Sequence, residues 1–292
     1  ALQSETGSNF NVAIGREALK TQNSSNDSYN VAIGRTAGAS ITTGIQCTII
    51  GGNAGQALTT GDDNTALGFE ALKGVSTGAT CSNNVAIGKR AAVAITTGGQ
   101  NVIIGHDTGG DLTTGANNVI IGRQSEVASG GDNNCIVLGE SVTCTGSGNF
   151  TFGFSTVDSN IAAGATTITA PSDERYKENI ADSTAGLSFI NDLRPVTFQW
   201  KKEKDIPSDH RSYVEGSDKR VMNSDGETNH GFIAQEVKTV IDNHSELKDG
   251  FNMWSEDPTD GRQRLGDGAL IPMLVKAIQE LSAEIETLKS GG

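Results

Sequence analysis

Asn84-Val85-Ala86-Ile87-Gly88 returns as Asn101-Val102-Ile103-Ile104-Gly105 and again as Asn118-Val119-Ile120-Ile121-Gly122, each copy 17 residues after the last. Working outward, the same five-residue phrase ends at Gly15, Gly34, Gly51 and Gly68 on one side and at Gly139 on the other, with the remaining intervals 17, 19 or 20 residues long. The residue before each glycine is Ile or Leu, and the residue three before it is Val, Ile or Thr. Small residues such as Ala18, Ala37, Ala54, Ala71 and Ala91 usually follow three positions later. A β-branched run this short, closed by glycine, suits a strand and not a helix, and the glycine lets the chain turn where a Cβ would clash. One such coil cannot bury its apolar side, but stacked coils can, so residues 1–154 are expected to form a β-solenoid with a thin continuous core, its repeats running over 8–154. An aromatic content of only 5% agrees with an interior too narrow for many rings.

Four positions before each glycine stands Asn11, Asn30, Cys47, Asn64, Asn84, Asn101, Asn118 or Cys135. Asparagines stacked in register form side-chain hydrogen-bond ladders that satisfy polar groups inside the coil. Cys47 and Cys135 therefore fill an asparagine slot, while Cys81 and Cys144 fall in turns. No CxxC spacing or His/Cys cluster suggests a metal, so free thiols are expected and neither metal nor cofactor is called for. The turn triplets Thr42-Thr43-Gly44, Thr59-Thr60-Gly61, Thr96-Thr97-Gly98 and Thr113-Thr114-Gly115 raise the alternative of a flat, ice-binding threonine face. Their absence from several repeats and their turn glycine read instead as loops.

Composition divides the chain near residue 171. Residues 1–171 hold 7 Lys+Arg and 12 Asp+Glu with 27 of the 37 glycines and all four cysteines, whereas residues 172–292 hold 15 basic and 23 acidic side chains and both tryptophans. The net charge of −13 is shared between the two parts, so neither has the basic surface that binds a phosphate backbone, and no nucleic-acid partner is expected. No apolar run approaches the roughly 18 residues of a membrane span, and the start ALQSETGSNF has neither a charged beginning nor an apolar signal core. Without an initiating Met, it reads as the interior of a longer polypeptide that continues upstream, toward an attachment region.

In the second part, FINDLRPVTFQW predicts a short helix broken near Pro195 and then an alternating strand through Val196, Phe198 and Trp200. The polar run from Lys201 to Asn229 reads as a long loop or hairpin arm. HGFIAQEVKTVI from His230 starts as a strand and passes into an amphipathic helix with Val237, Val240 and Ile241 on one face. The clearest helix, 269–289, carries Ile271, Leu274, Ile278, Leu281, Ile285 and Leu288 at alternating spacings of 3 and 4, a heptad seam that calls for identical partners. Ile at a with Leu at d usually favours two parallel strands, but fewer than three heptads do not decide between two and three.

The NxVAIGxxA repeat resembles the head repeats of trimeric adhesins and of phage tail-fibre shafts, which implies a rigid trimeric β-roll shaft. SDERYKENI at 172–180, then HGFIAQEV, then ALIPMLVKAIQEL, in that order, resemble the self-cleaving intramolecular chaperone domain of phage tail spikes, endosialidases and tail fibres. The fold class implied is a mainly β solenoid shaft, a linker over 155–171 and an α+β chaperone domain over 172–292 that ends in a coiled-coil helix. The function implied is a virion tail fibre or spike for host attachment, assembled in the host cytoplasm as a homotrimer. It would meet a glycan or protein receptor on the host surface, without membrane insertion, and its chaperone would be released by autoproteolysis between Pro171 and Ser172. The alternative is a non-enzymatic trimeric surface adhesin with a C-terminal trimerisation domain.

The resemblance also implies a catalytic pair, Ser172 and Lys177. A lysine activates a hydroxyl only when neutral, which takes burial or nearby positive charge. At i and i+5 the two side chains do not share a helix face and lie on opposite faces of a strand. Either the segment turns, or the lysine serves the serine of another subunit. His230 opens a motif but reads as a packing or hydrogen-bonding residue, and His106, His210 and His244 as scattered, solvent-facing ones. Asp173, Glu174 and Glu178 beside Arg175 read as a solvated mixed-charge segment. No acid recurs in a repeat slot, so no glycan-cleaving pair is expected in the shaft.

Overall fold

The computed structural model describes residues 1–7, 9–75, 78–222, 226–247 and 251–291. Residue 8, where the repeats were expected to begin, and residues 223–225 of the polar run lie outside the described residues. The chain forms two compact units, Ala1–Tyr176 and Lys177–Gly292.

The first unit is a β-solenoid of eight coils, each contributing one short strand: β1 (Val12–Ile14), β2 (Val31–Ile33), β3 (Thr48–Ile50), β4 (Thr65–Leu67), β5 (Val85–Ile87), β6 (Val102–Ile104), β7 (Val119–Ile121) and β8 (Ile136–Glu140). Neighbours pair in parallel with no register offset, so that Val85 faces Val102 and Val102 faces Val119. The parallel ladder continues into β9 (Asn149–Phe154), and β10 (Val157–Ala162) then turns back antiparallel to β9. Residues 155–171, read as a linker, thus include β10, and Thr169 exchanges two backbone hydrogen bonds of 2.8 Å with Asn160.

The middle residue of each strand points inward and its two neighbours outward, as period-two alternation requires. Ala32, Ile49, Ala66, Ala86, Ile103, Ile120 and Val137 are fully buried. So are the small residues three after each glycine, such as Ala37, Ala54, Ala71 and Ala91, and the aliphatic residues ahead of the threonine pairs: Ile41, Leu58, Ile95 and Leu112. This core contains no ring. The repeat glycines stack in a column with left-handed φ values; Gly34, at +137°, lies so close to the next coil that a Cβ on it would sit 2.5 Å from the Gly51 carbonyl oxygen.

The asparagine slots form the expected ladder. Asn84 Oδ1 accepts the Asn101 N–H at 3.1 Å and its Nδ2 at 2.9 Å, and Asn101 Oδ1 accepts the Asn118 N–H at 2.9 Å and its Nδ2 at 3.0 Å. The free amide hydrogen of each goes to the coil's own turn, Asn84 Nδ2 to the Gly98 carbonyl at 3.0 Å and Asn101 Nδ2 to that of Gly115 at 3.1 Å. The threonine pairs lie in turns, and their first hydroxyls bond to the next coil, Thr96 Oγ1 to the Thr113 carbonyl and Thr113 Oγ1 to the Gly130 carbonyl, each at 3.1 Å. Those hydroxyls are engaged inside the stack rather than laid out on a flat face.

The second unit is a small α+β domain. Helix α1 (Leu187–Asp192) ends ahead of Pro195, and β11 (Val196–Phe198) pairs antiparallel with β12 (Asn229–Gly231). The polar run between them begins as an arm, with Lys202 bridging Arg220 and the Val221 N–H bonding the Lys201 carbonyl at 3.0 Å. Helix α2 (Ala234–Asn243), the hairpin β13 (Trp254–Glu256) and β14 (Gln263–Leu265), and helix α3 (Ile271–Ser290) complete the domain. Its core gathers Phe189, Val237, Ile241, Leu247, Met253 and Leu270.

Candidate functional site: the junction and the C-terminal helix

Around the predicted scissile bond the chain turns. A single 3-10 turn spans Glu174–Tyr176, and the Tyr176 N–H bonds the Asp173 carbonyl at 3.1 Å. Asp173 folds onto Arg175, whose backbone N–H and Nε reach Oδ1 at 2.9 and 3.0 Å while Nη2 reaches Oδ2 at 2.6 Å. This exposed pair holds Arg175 above the usual guanidinium value through its hydrogen bonds to Asp173. Pro171 and Ser172 lie in the first unit, which ends at Tyr176, and Lys177 is the first residue of the second; all three are exposed on the single chain, as are Glu174 and Glu178.

Helix α3 has two different faces. Leu270 ahead of it, then Met273, Ala277 and Glu280, turn toward the domain, and Glu280 Oε2 accepts the Leu187 N–H at the start of α1 at 2.7 Å. A Cβ on Gly186 would press on that carboxylate, so a larger residue there would push the end of the Glu280 side chain aside. The seam lies elsewhere on the helix: Ile271, Leu274, Ile278, Leu281, Ile285 and Leu288 are all exposed, from 43% to 77%. Exposed leucines and isoleucines in heptad register form an apolar stripe along the outer side of the helix.

Two features of this domain escaped the sequence. His244, expected to face solvent, is instead only 11% exposed at its side chain, with Nε2 2.9 Å from Asp192 Oδ2 and Nδ1 3.1 Å from Glu246 Oε1. The two carboxylates, Asp192 foremost, raise its pKa. Separately, a cavity of about 550 Å³ opens between Phe198, Trp200, Ile206, Pro207, Phe232 and the β13–β14 hairpin. Asp260 at its wall is nine-tenths buried and meets Arg211 Nε at 3.5 Å. His210 lines the same cavity, while His230 is exposed on β12 and His106 pairs with Asp107 at 3.1 Å on the shaft. No signal in the sequence joins residues so far apart in the chain. Among the described residues no group of three or more His, Cys, Asp or Glu could hold a metal ion, and no helix is long and apolar enough to cross a membrane.

The first unit is thus a β-solenoid of stacked repeats, and the second a small α+β domain that ends in a helix with an exposed apolar seam. Residues 172–246 match the family model described as chaperone of endosialidase, a peptidase family, and the match begins at Ser172. The solenoid and the matched segment together fit the tail-spike and endosialidase chaperone description that the motifs suggested. The match takes in SDERYKENI and HGFIAQEV and ends before α3. Comparison with curated proteins and with solved structures found no match.

Proposed function

We propose that the chain is a segment of a phage tail fibre or spike for host-surface attachment, in which the C-terminal domain brings three copies together and then leaves by cutting the Pro171–Ser172 bond. The observation that carries the reading is the family match opening at Ser172, the residue after that bond. Ser172 Oγ attacks the Pro171 carbonyl carbon, Lys177 accepts the hydroxyl proton, and the Ser172 amine leaves protonated; water then releases the Pro171 carboxylate from the ester. An exposed Lys177 needs a covering surface to become a base, and assembly with neighbouring copies supplies one.

Two apolar surfaces support the trimer. One is the α3 seam. The other is the outer face of the solenoid sheet, where Val12, Ile14, Leu67, Ile121, Ile136 and Leu138 are exposed in parallel rows over strands spaced about 4.8 Å apart. A stack of near-identical coils admits many registers, since a one-coil slip keeps most contacts, and a terminal domain that trimerises first fixes the start.

Denaturing electrophoresis of the folded chain tests the reading. Wild-type protein is expected to yield fragments 1–171 and 172–292, and Ser172→Ala and Lys177→Ala to remain whole while still sedimenting as trimers. A single full-length band from folded, trimeric wild-type protein would instead establish the non-enzymatic adhesin.

A further inference from the structure

The asparagine slot behaves differently in the last coil of the shaft. In the coils from Asn30 to Asn118 its side chain reaches a carbonyl 14 or 17 residues ahead, as Asn101 does with Gly115, and Cys47 with Gly61 at 3.4 Å. In the last coil Cys135 Sγ reaches the Gly146 carbonyl at 3.3 Å, only 11 residues ahead. The shortened turn brings a second sulfur into the slot: Cys144 Sγ lies 2.8 Å from Cys135 Sγ, and it too reaches the Gly146 carbonyl, at 3.0 Å. Both residues are 0–1% exposed. Cys47 is placed otherwise, directed at the Ile45 and Gly61 carbonyls, with Cys81 one coil beyond Gly61.

We infer that Cys135 and Cys144 are a redox pair that closes the last coil of the shaft with an intramolecular disulfide, formed by exchange with a small-molecule disulfide. One thiolate attacks the small disulfide, giving a mixed disulfide and releasing one small thiol. The second protein thiolate then attacks the protein-bound sulfur and releases the other. The two protons given up by the cysteines pass through solvent to the two released thiolates, and the two electrons reduce the small disulfide, so that two small thiols result.

Burial sets when this happens. Removal from water, with the neighbouring Cys144, pushes the Cys135 thiol up to about 12, so the closed coil holds almost no thiolate. Exchange therefore proceeds through opening of this coil, before the shaft closes or during local unfolding of its last turns. The link joins residues nine apart, and the loop-closure entropy of so short a loop suppresses reopening by about a hundredfold.

The test uses the full chain, incubated with oxidised glutathione in rising urea below the unfolding transition, then denatured, alkylated with iodoacetamide and digested. The expected result is a peptide pair linked through Cys135 and Cys144 and lighter by two hydrogens, with Cys47 and Cys81 alkylated. Hydrogen exchange of the β8 amides should slow about a hundredfold on oxidation. The Cys135→Asn variant, which restores the residue used by most other coils, should fold and show no response to oxidant. Full alkylation of both Cys135 and Cys144 at every urea concentration would overturn the inference, as would a link from either residue to Cys47 or Cys81.

Discussion

Replacing Asn101 by Ala probes the ladder at a rung bonded to the slots on both sides. The Asn101 side chain is fully buried; its Oδ1 accepts from the Asn118 N–H and Nδ2, and its Nδ2 donates to Asn84 Oδ1 and to the Gly115 carbonyl. After truncation, Asn84 Oδ1 keeps the Asn101 N–H, and Asn118 Nδ2 keeps the Asp132 carbonyl at 2.8 Å. The Asn118 N–H and the Gly115 carbonyl lose their partners here. Two buried polar groups left unpaired cost about 1–3 kcal/mol each, so Asn101→Ala should destabilise the shaft by roughly 2–6 kcal/mol. Asn101→Cys should cost distinctly less, because a sulfur in this slot still meets the turn carbonyl, as Cys47 shows against Gly61. Urea denaturation, with hydrogen exchange resolving the amides of β6 and β7, measures both variants against the parent. A loss below about 0.5 kcal/mol for Ala would show that the ladder contributes nothing beyond filling space, and equal losses for Ala and Cys would show that a sulfur does not replace the amide.

Gly88→Ala should abolish stacking at its coil, since the φ of +126° is strained for alanine and its Cβ would press on the Gly105 carbonyl; a loss above about 2 kcal/mol in the same urea assay is expected. In the C-terminal domain, the raised pKa of His244 means that the folded state favours the imidazolium between Asp192 and Glu246. That contribution is fully present below the unfolded value of about 6.5 and fades as pH rises through the higher folded value, so the urea midpoint of the domain should fall across that window and His244→Gln should flatten it.

The shaft was legible because it is periodic: a strand seen once as NVAIG is seen eight times, and the Gly, Asn and Ala slots each mark a wall of the same coil. Aliphatic residues ahead of Thr42, Thr59, Thr96 and Thr113 complete that coil, and their burial follows from the same repeat arithmetic. Where the period fails, so does inference from it. Cys144 read as a turn residue because nothing in the spacing announces that the last turn is shorter. In the second domain the heptad arithmetic located the seam of α3 but not its opposite face, because Glu280 finds its partner 93 residues upstream at Leu187. His244 read as solvent-facing for the same reason, since Asp192 lies 52 residues before it. Single-residue spacing carries local chemistry, while partners across the domain depend on packing that no short motif encodes.

The antiparallel return of β10 has a consequence for how such a shaft varies in length. Every strand from β1 to β9 offers its neighbour the same parallel edge, so a 17-residue cassette inserted among them would find both of its edges matched and lengthen the shaft by about 4.8 Å. Strand β10 reverses that polarity and stops the propagation at a fixed distance from the junction. The solenoid unit is in this sense a ruler with a fixed end stop, the length of its stack set by the number of coils and its last strands unchanged when that number changes.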